Sequence, residues 1–115
     1  MATARLDTKL ITDWSTFHLV CKETFGFPEF YGMNMNAWID CLTYLDLGDG
    51  MSRFHLAQGE LLHIEVSDTK SFNDRLPEIF DALIESCAFV NMRYLDDGKA
   101  PTISLILLEP IPKDW

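Results

Sequence analysis

The carboxylate of Asp40 is the side chain in this sequence best placed to act on a partner. It lies in the run Phe27-Pro28-Glu29-Phe30-Tyr31-Gly32-Met33-Asn34-Met35-Asn36-Ala37-Trp38-Ile39-Asp40-Cys41-Leu42-Thr43. Between Glu23 and Ser52 there is no lysine or arginine, while Glu23, Glu29, Asp40, Asp46 and Asp49 fall in or at the edge of that window. A carboxylate accepts paired hydrogen bonds from a guanidinium much as a phosphate does, yet offers no bond to cleave. The chemistry this suggests is recognition of a cation rather than turnover. The bland alternative is a solvated charge on a helix face, and the two differ only in whether the oxygens meet a partner.

Other chemistries find less support. Cys41 with a histidine could make a nucleophile pair, but helical spacing turns Cys41 toward the predicted core. Gly-x-Ser-x-Gly, Walker and HExxH elements are absent. His18, His55 and His63 are scattered without metal-ligand spacing. Gly48-Asp49-Gly50 reads as a turn, not a phosphate loop. The expectation is a non-enzyme with no metal and no cofactor.

Composition points the same way. The chain has 115 residues, 48% of them hydrophobic, which suits one folded domain. Eighteen acids against nine bases give a net charge of −9. That balance disfavours nucleic acid and anionic membranes and favours a basic partner. No apolar run approaches the roughly 18 residues of a membrane span, and Met1-Ala2-Thr3-Ala4-Arg5 has no hydrophobic signal core. Three widely spaced cysteines, an odd number, suggest reduced thiols. The expected location is therefore cytoplasmic.

The elements that must position Asp40 follow from periodicity. Residues 2–7 read as a first strand. Thr12 or Asp13 caps a helix over 13–25, with Trp14, Phe17, Val20, Cys21 and Thr24 on one face and Gly26 with Pro28 ending it. A second helix covers 34–46 with Asn34 as N-cap. A step of a hundred degrees per residue puts Met35, Trp38, Cys41, Leu42 and Leu45 on its apolar stripe. Asn36, Ile39, Asp40, Thr43 and Tyr44 fall on the outer half, Ile39 being a misfit that would sit at the centre of a contact patch. Phe54–Leu56 reads as a short strand, and 61–66 as a longer one with Leu62, Ile64 and Val66 sharing a face. A polar connection leads into a helix over 72–93 with Ile79, Phe80, Leu83, Cys87 and Val90 inside and Asp81 and Glu85 outside. The run 102–108 reads as a central strand covered on both faces. The sum is an α/β chain: a short parallel sheet of three strands packed with helices, joined by right-handed crossovers.

At Pro28-Glu29-Phe30-Tyr31-Gly32, then Asn34, Ala37 and Asp40-Cys41-Leu42-Thr43, the sequence resembles the barstar family of small acidic inhibitors of secreted bacterial ribonucleases. The match is ungapped over about 16 residues, and the order of elements on either side also fits. The resemblance implies a three-stranded parallel sheet with helices. It also implies that the second helix and its preceding loop plug a ribonuclease active site, with Asp40 taking the place of a substrate phosphate against arginines and a histidine. On that basis the expected contact residues are Phe30, Asn34, Met35, Asn36, Ile39, Asp40, Thr43, Tyr44 and Glu85, and the expected partner is a basic secreted ribonuclease or nuclease toxin. Some positions depart from the family pattern. Asn36 stands where a second acid is usual, Ile39 where a tryptophan is, and Tyr44 where a glycine is. Ala82 aligns with a later acid, with Asp81 and Glu85 nearby. These departures keep open a second expectation, a binding module or immunity protein for a different toxin.

Overall fold

A computed structural model describes residues 2–48 and 50–115. The expected turn at Gly48-Asp49-Gly50 includes Asp49, which lies outside the described residues. Chain order is β1 (Ala2–Leu6), a 3-10 turn (Thr8–Leu10), α1 (Trp14–Phe25), α2 (Met35–Thr43), β2 (Leu62–Val66), α3 (Thr69–Arg75), α4 (Pro77–Asp96) and β3 (Ile103–Leu107). The three strands form one parallel sheet in the order β1-β2-β3. Parallel neighbours cannot be joined by a hairpin, so α1 and α2 fill the first crossover and α3 and α4 the second.

Strand alternation decides which side chains enter the core. Leu62, Ile64 and Val66 are fully buried, and register places Ala4 and Leu6 of β1 and Ile103 and Leu105 of β3 on the same face. The opposite face carries Arg5, His63, Glu65 and Ser104, with an Arg5 Nε to Glu65 Oε1 contact of 3.0 Å across β1 and β2. The run 102–108 is therefore not a central strand: β2 is central, and β3 is an edge strand buried only at its start. Its apolar composition reflects one covered face together with half-exposed Ile106 and exposed Leu107.

Two other expectations change. Residues 54–56 form no strand; the segment crosses irregularly, its Leu56 N–H donating to Leu45 O at 2.9 Å. The helix expected over 72–93 is two helices broken at Leu76-Pro77. Proline lacks an N–H and disfavours helical geometry in the residue before it, and Leu76 is accordingly non-helical at φ −137°, ψ 60°. Pro77 then opens α4 from its first position, where the missing donor costs nothing.

Local chemistry sets the other ends. Asp13 caps α1, its carboxylate accepting from Thr16 N–H at 2.8 Å while Thr16 Oγ1 accepts from Asp13 N–H at 3.0 Å. These bonds hold the Asp13 carboxyl below its usual range. Gly26 ends α1 in the left-handed conformation, at φ 67°. Phe17 and Cys21 are buried on α1 as expected, but Trp14 at its start is exposed. All five residues of the expected inner stripe of α4, Ile79, Phe80, Leu83, Cys87 and Val90, are buried. No described helix is long and apolar enough to cross a membrane.

Candidate partner-binding site

At nine residues, α2 is too short to stand alone in water. Its pose depends on its ends and on the helix it packs against, α4. Asn34 is the N-cap: its Oδ1 accepts from Ala37 N–H at 2.8 Å, and its Nδ2 donates to Gly32 O at 3.2 Å. One side chain thus satisfies an open helix donor and closes the turn before it. Between them Met33 takes a left-handed φ of 55°, a conformation that costs most side chains something.

The loop before α2 is anchored by one aromatic residue and presents another. Tyr31 is buried, its hydroxyl 2.7 Å from His18 Nδ1 in a hydrogen bond and its ring 4.7 Å from that of Phe27. Burial drives the Tyr31 hydroxyl far up in pKa and the His18 imidazole down, so both are neutral near pH 7. With Tyr31 fixed, the neighbouring Phe30 projects outward at 76% exposure. Alongside lies a groove of about 470 Å³ lined by Trp14, Ser15, His18, Met33, Asn34 and Met35.

On α2 itself Trp38, Cys41, Leu42 and, just beyond the helix, Leu45 are buried, with Met35 half-buried. Asn36, Asp40 and Tyr44 are exposed and Thr43 is half-buried, so the outer ridge is the expected one apart from Ile39. Ile39 is only 9% exposed and belongs to the core, so it does not form the centre of a contact patch. It lies at the edge of a buried arc about 160° wide at a hundred degrees per residue, wider than a two-half division of the helix allows.

Asp40 is half exposed but not solitary. Arg93 of α4 donates from Nη1 to Asp40 Oδ1 at 2.7 Å and to Thr43 Oγ1 at 3.2 Å. Thr43 Oγ1 in turn donates to Ile39 O at 2.7 Å. Asp40 Oδ2 has no hydrogen-bond partner among the described residues, and the side chain is 54% exposed. The expectation of a lone carboxylate is therefore corrected to a carboxylate with one oxygen engaged. Sequence reasoning missed Arg93, which is 53 positions away and carries no local signal of the pairing.

The far end of the ridge is tied to the chain after α4. Lys99 Nζ donates to Asp46 Oδ2 at 2.7 Å; this bond lowers the Asp46 pKa and raises that of Lys99. Tyr94 Oη accepts from Leu45 N–H at 3.0 Å and donates to Leu42 O at 3.3 Å, joining the end of α2 to α4. Glu85 is exposed on α4, eight residues before Arg93 and so about 12 Å away along the axis. The structure thus brings Phe30, Asn34, Met35, Asn36, Asp40, Thr43 and Tyr44 onto one continuous loop and helix, while Glu85 stands apart on the neighbouring helix.

Cys41 is buried at 2% exposure, the reverse of what a catalytic thiol needs. Among the described residues no group of three His, Cys, Asp or Glu side chains could hold a metal ion. The ridge of α2 offers a carboxylate oxygen flanked by amide, hydroxyl and aromatic groups, and is backed by packed helices.

The family model described as Barstar (barnase inhibitor) matches residues 1–106, which takes in β1, β2, the whole of α2 and all but the last residue of β3. No curated protein matches the chain.

Proposed function

The chain belongs to the Barstar (barnase inhibitor) family, and from that premise we propose that it binds and blocks a basic ribonuclease or nuclease toxin by seating α2 and the loop before it in the enzyme's active site. The observation that carries the reading is Asp40: a half-exposed carboxylate on the outer ridge of α2, with Oδ2 open to a donor. In this reading the carboxylate stands where a substrate phosphate would, accepts hydrogen bonds from the enzyme's cations and cannot be cleaved. Phe30 and Tyr44 supply flanking apolar area, and Asn36 and Thr43 supply neutral polar contacts. Net charge of −9 draws a basic partner in, so association is fast and weakens with salt. The protein acts in the cytoplasm, protecting the cell that makes the toxin.

Asp40→Ala is the test. Truncating one side of a desolvated charge pair costs about 2–5 kcal/mol, a range anchored by barnase–barstar pairs themselves. Titration of barnase activity should show a loss of inhibition of that size, with the variant's thermal midpoint nearly unchanged because the Asp40–Arg93 pair is exposed. Equal inhibition by wild type and variant would remove Asp40 from the mechanism. A second reading, a module of this fold directed at a different toxin, is favoured by neutral Asn36, where the family pattern has an acid, and by the cation already paired to Asp40. Affinity capture from the source organism's secreted and cytosolic proteins at low and high salt separates the two: recovery of a basic nuclease supports the first, and recovery of another toxin supports the second.

A further inference from the structure

Arg93 joins α4 to α2 through Asp40 and Thr43. Its side chain is 47% exposed, and Asp40 and Thr43 are its only side-chain acceptors among the described residues. It meets the carboxylate through one nitrogen on one oxygen, and Oδ2 is left open. A partner guanidinium arriving in a fork would span both oxygens, the stronger and more directional arrangement. The Arg93 pair, half exposed on both sides, is the weaker kind.

We propose that Arg93 is a specificity-determining residue: it competes internally for Asp40, and so sets a threshold that a partner's cations must exceed to take the carboxylate. This rests on the reading that α2 enters a basic nuclease site. In the free protein Arg93 offsets the charge of Asp40 and holds Oδ1. On binding, a guanidinium of the partner takes that oxygen, and Arg93 swings into solvent, where half of its surface already lies. A partner offering only one ammonium gains little by the exchange, because it replaces one single-point contact with another. The same fold without a cation at this position would admit a wider range of basic partners.

A double-mutant cycle tests this, with barnase as the probe and the dissociation constant as the readout. The proteins are wild type, Arg93→Gln, Asp40→Ala and the double variant. Arg93→Gln should bind about fivefold tighter than wild type, the size of an exposed pair released. In the Asp40→Ala background the same substitution should change binding by less than about 1.5-fold, within the reach of general charge effects. That background matters because removing any surface cation helps an acidic protein approach a basic enzyme. Equal or weaker binding by Arg93→Gln would overturn the competition, and so would an undiminished gain without Asp40. Those two results leave the inhibitor reading standing. Failure of all four proteins to bind barnase, or any basic nuclease recovered by affinity capture, would overturn both. Binding by Arg93→Gln alone would support the threshold in its strongest form. Thermal melts of the free proteins check that each variant is folded.

Discussion

Tyr94→Phe removes one oxygen and should be felt at the far end of α2. Tyr94 is only 4% exposed, and its hydroxyl accepts from Leu45 N–H at 3.0 Å and donates to Leu42 O at 3.3 Å. Phenylalanine keeps the ring and its packing, so the comparison reads the loss of the hydroxyl's bonds, these two among them. Leu45 is itself buried, and without the hydroxyl its N–H is left in the interior unpaired. A buried donor stranded in this way costs about 1–3 kcal/mol. The longer bond to Leu42 O adds about 0.5 kcal/mol, the low end for a hydrogen bond. A total of about 2 kcal/mol should lower the thermal midpoint by about 8 °C in a chain of this length, at an unfolding entropy near 2 cal/mol/K per residue. Urea unfolding should show the loss as a lower midpoint with an unchanged slope, since the surface exposed on unfolding is the same. The variant should also inhibit a partner less well at temperatures near its own midpoint, because the end of α2 bearing Thr43 and Tyr44 is released first. A midpoint within about 2 °C of wild type would refute the reasoning; it would mean that the Leu45 N–H finds another acceptor and that Tyr94 does not hold α2 in place.

The remaining expectations can be checked on the isolated protein. Asn34→Ala should cost about 1 kcal/mol of stability by leaving the Ala37 N–H uncapped, read by urea unfolding; Asn34→Asp, which keeps the acceptor, should recover most of it. His18 should make stability pH-dependent. Its pKa is lowered by burial from an ordinary 6.5, so the folded state binds fewer protons than the unfolded chain below that pH. Stability is then full above about pH 6.5, falls as pH drops toward the lowered folded value and levels off below it. Unfolding midpoints measured between pH 7.5 and 5 should show this slope, and a His18→Gln variant should lose it. The thiols of Cys21 and Cys87 are pushed up to about 12 by burial, so a disulfide reagent at pH 8 should modify them only at the rate of unfolding; fast labelling of either in the native protein would contradict their placement.

The features readable in the sequence are those governed by neighbouring residues. Asn34 and Asp13 are caps because a short polar side chain before an apolar period can reach its own helix's open N–H groups. Leu62, Ile64 and Val66 alternate because a strand turns successive side chains to opposite faces. Asp40 lies opposite Trp38 because a helix separates them by two hundred degrees. The break at Leu76-Pro77 was written there too, in a proline suited to a first helical position, but it was outweighed by the apolar period continuing on either side. What no local pattern holds is the choice of neighbours. That β2 rather than β3 lies at the centre of the sheet is decided by strand order, and an apolar run looks alike at the middle and at a half-covered edge. Ile39 is buried because tertiary packing sets how wide an arc of α2 is covered. Above all, only the packing of α2 on α4 puts Arg93 on Asp40: side-chain electrostatics act over a few ångströms of space, and the chain brings together residues 53 positions apart only once it has folded.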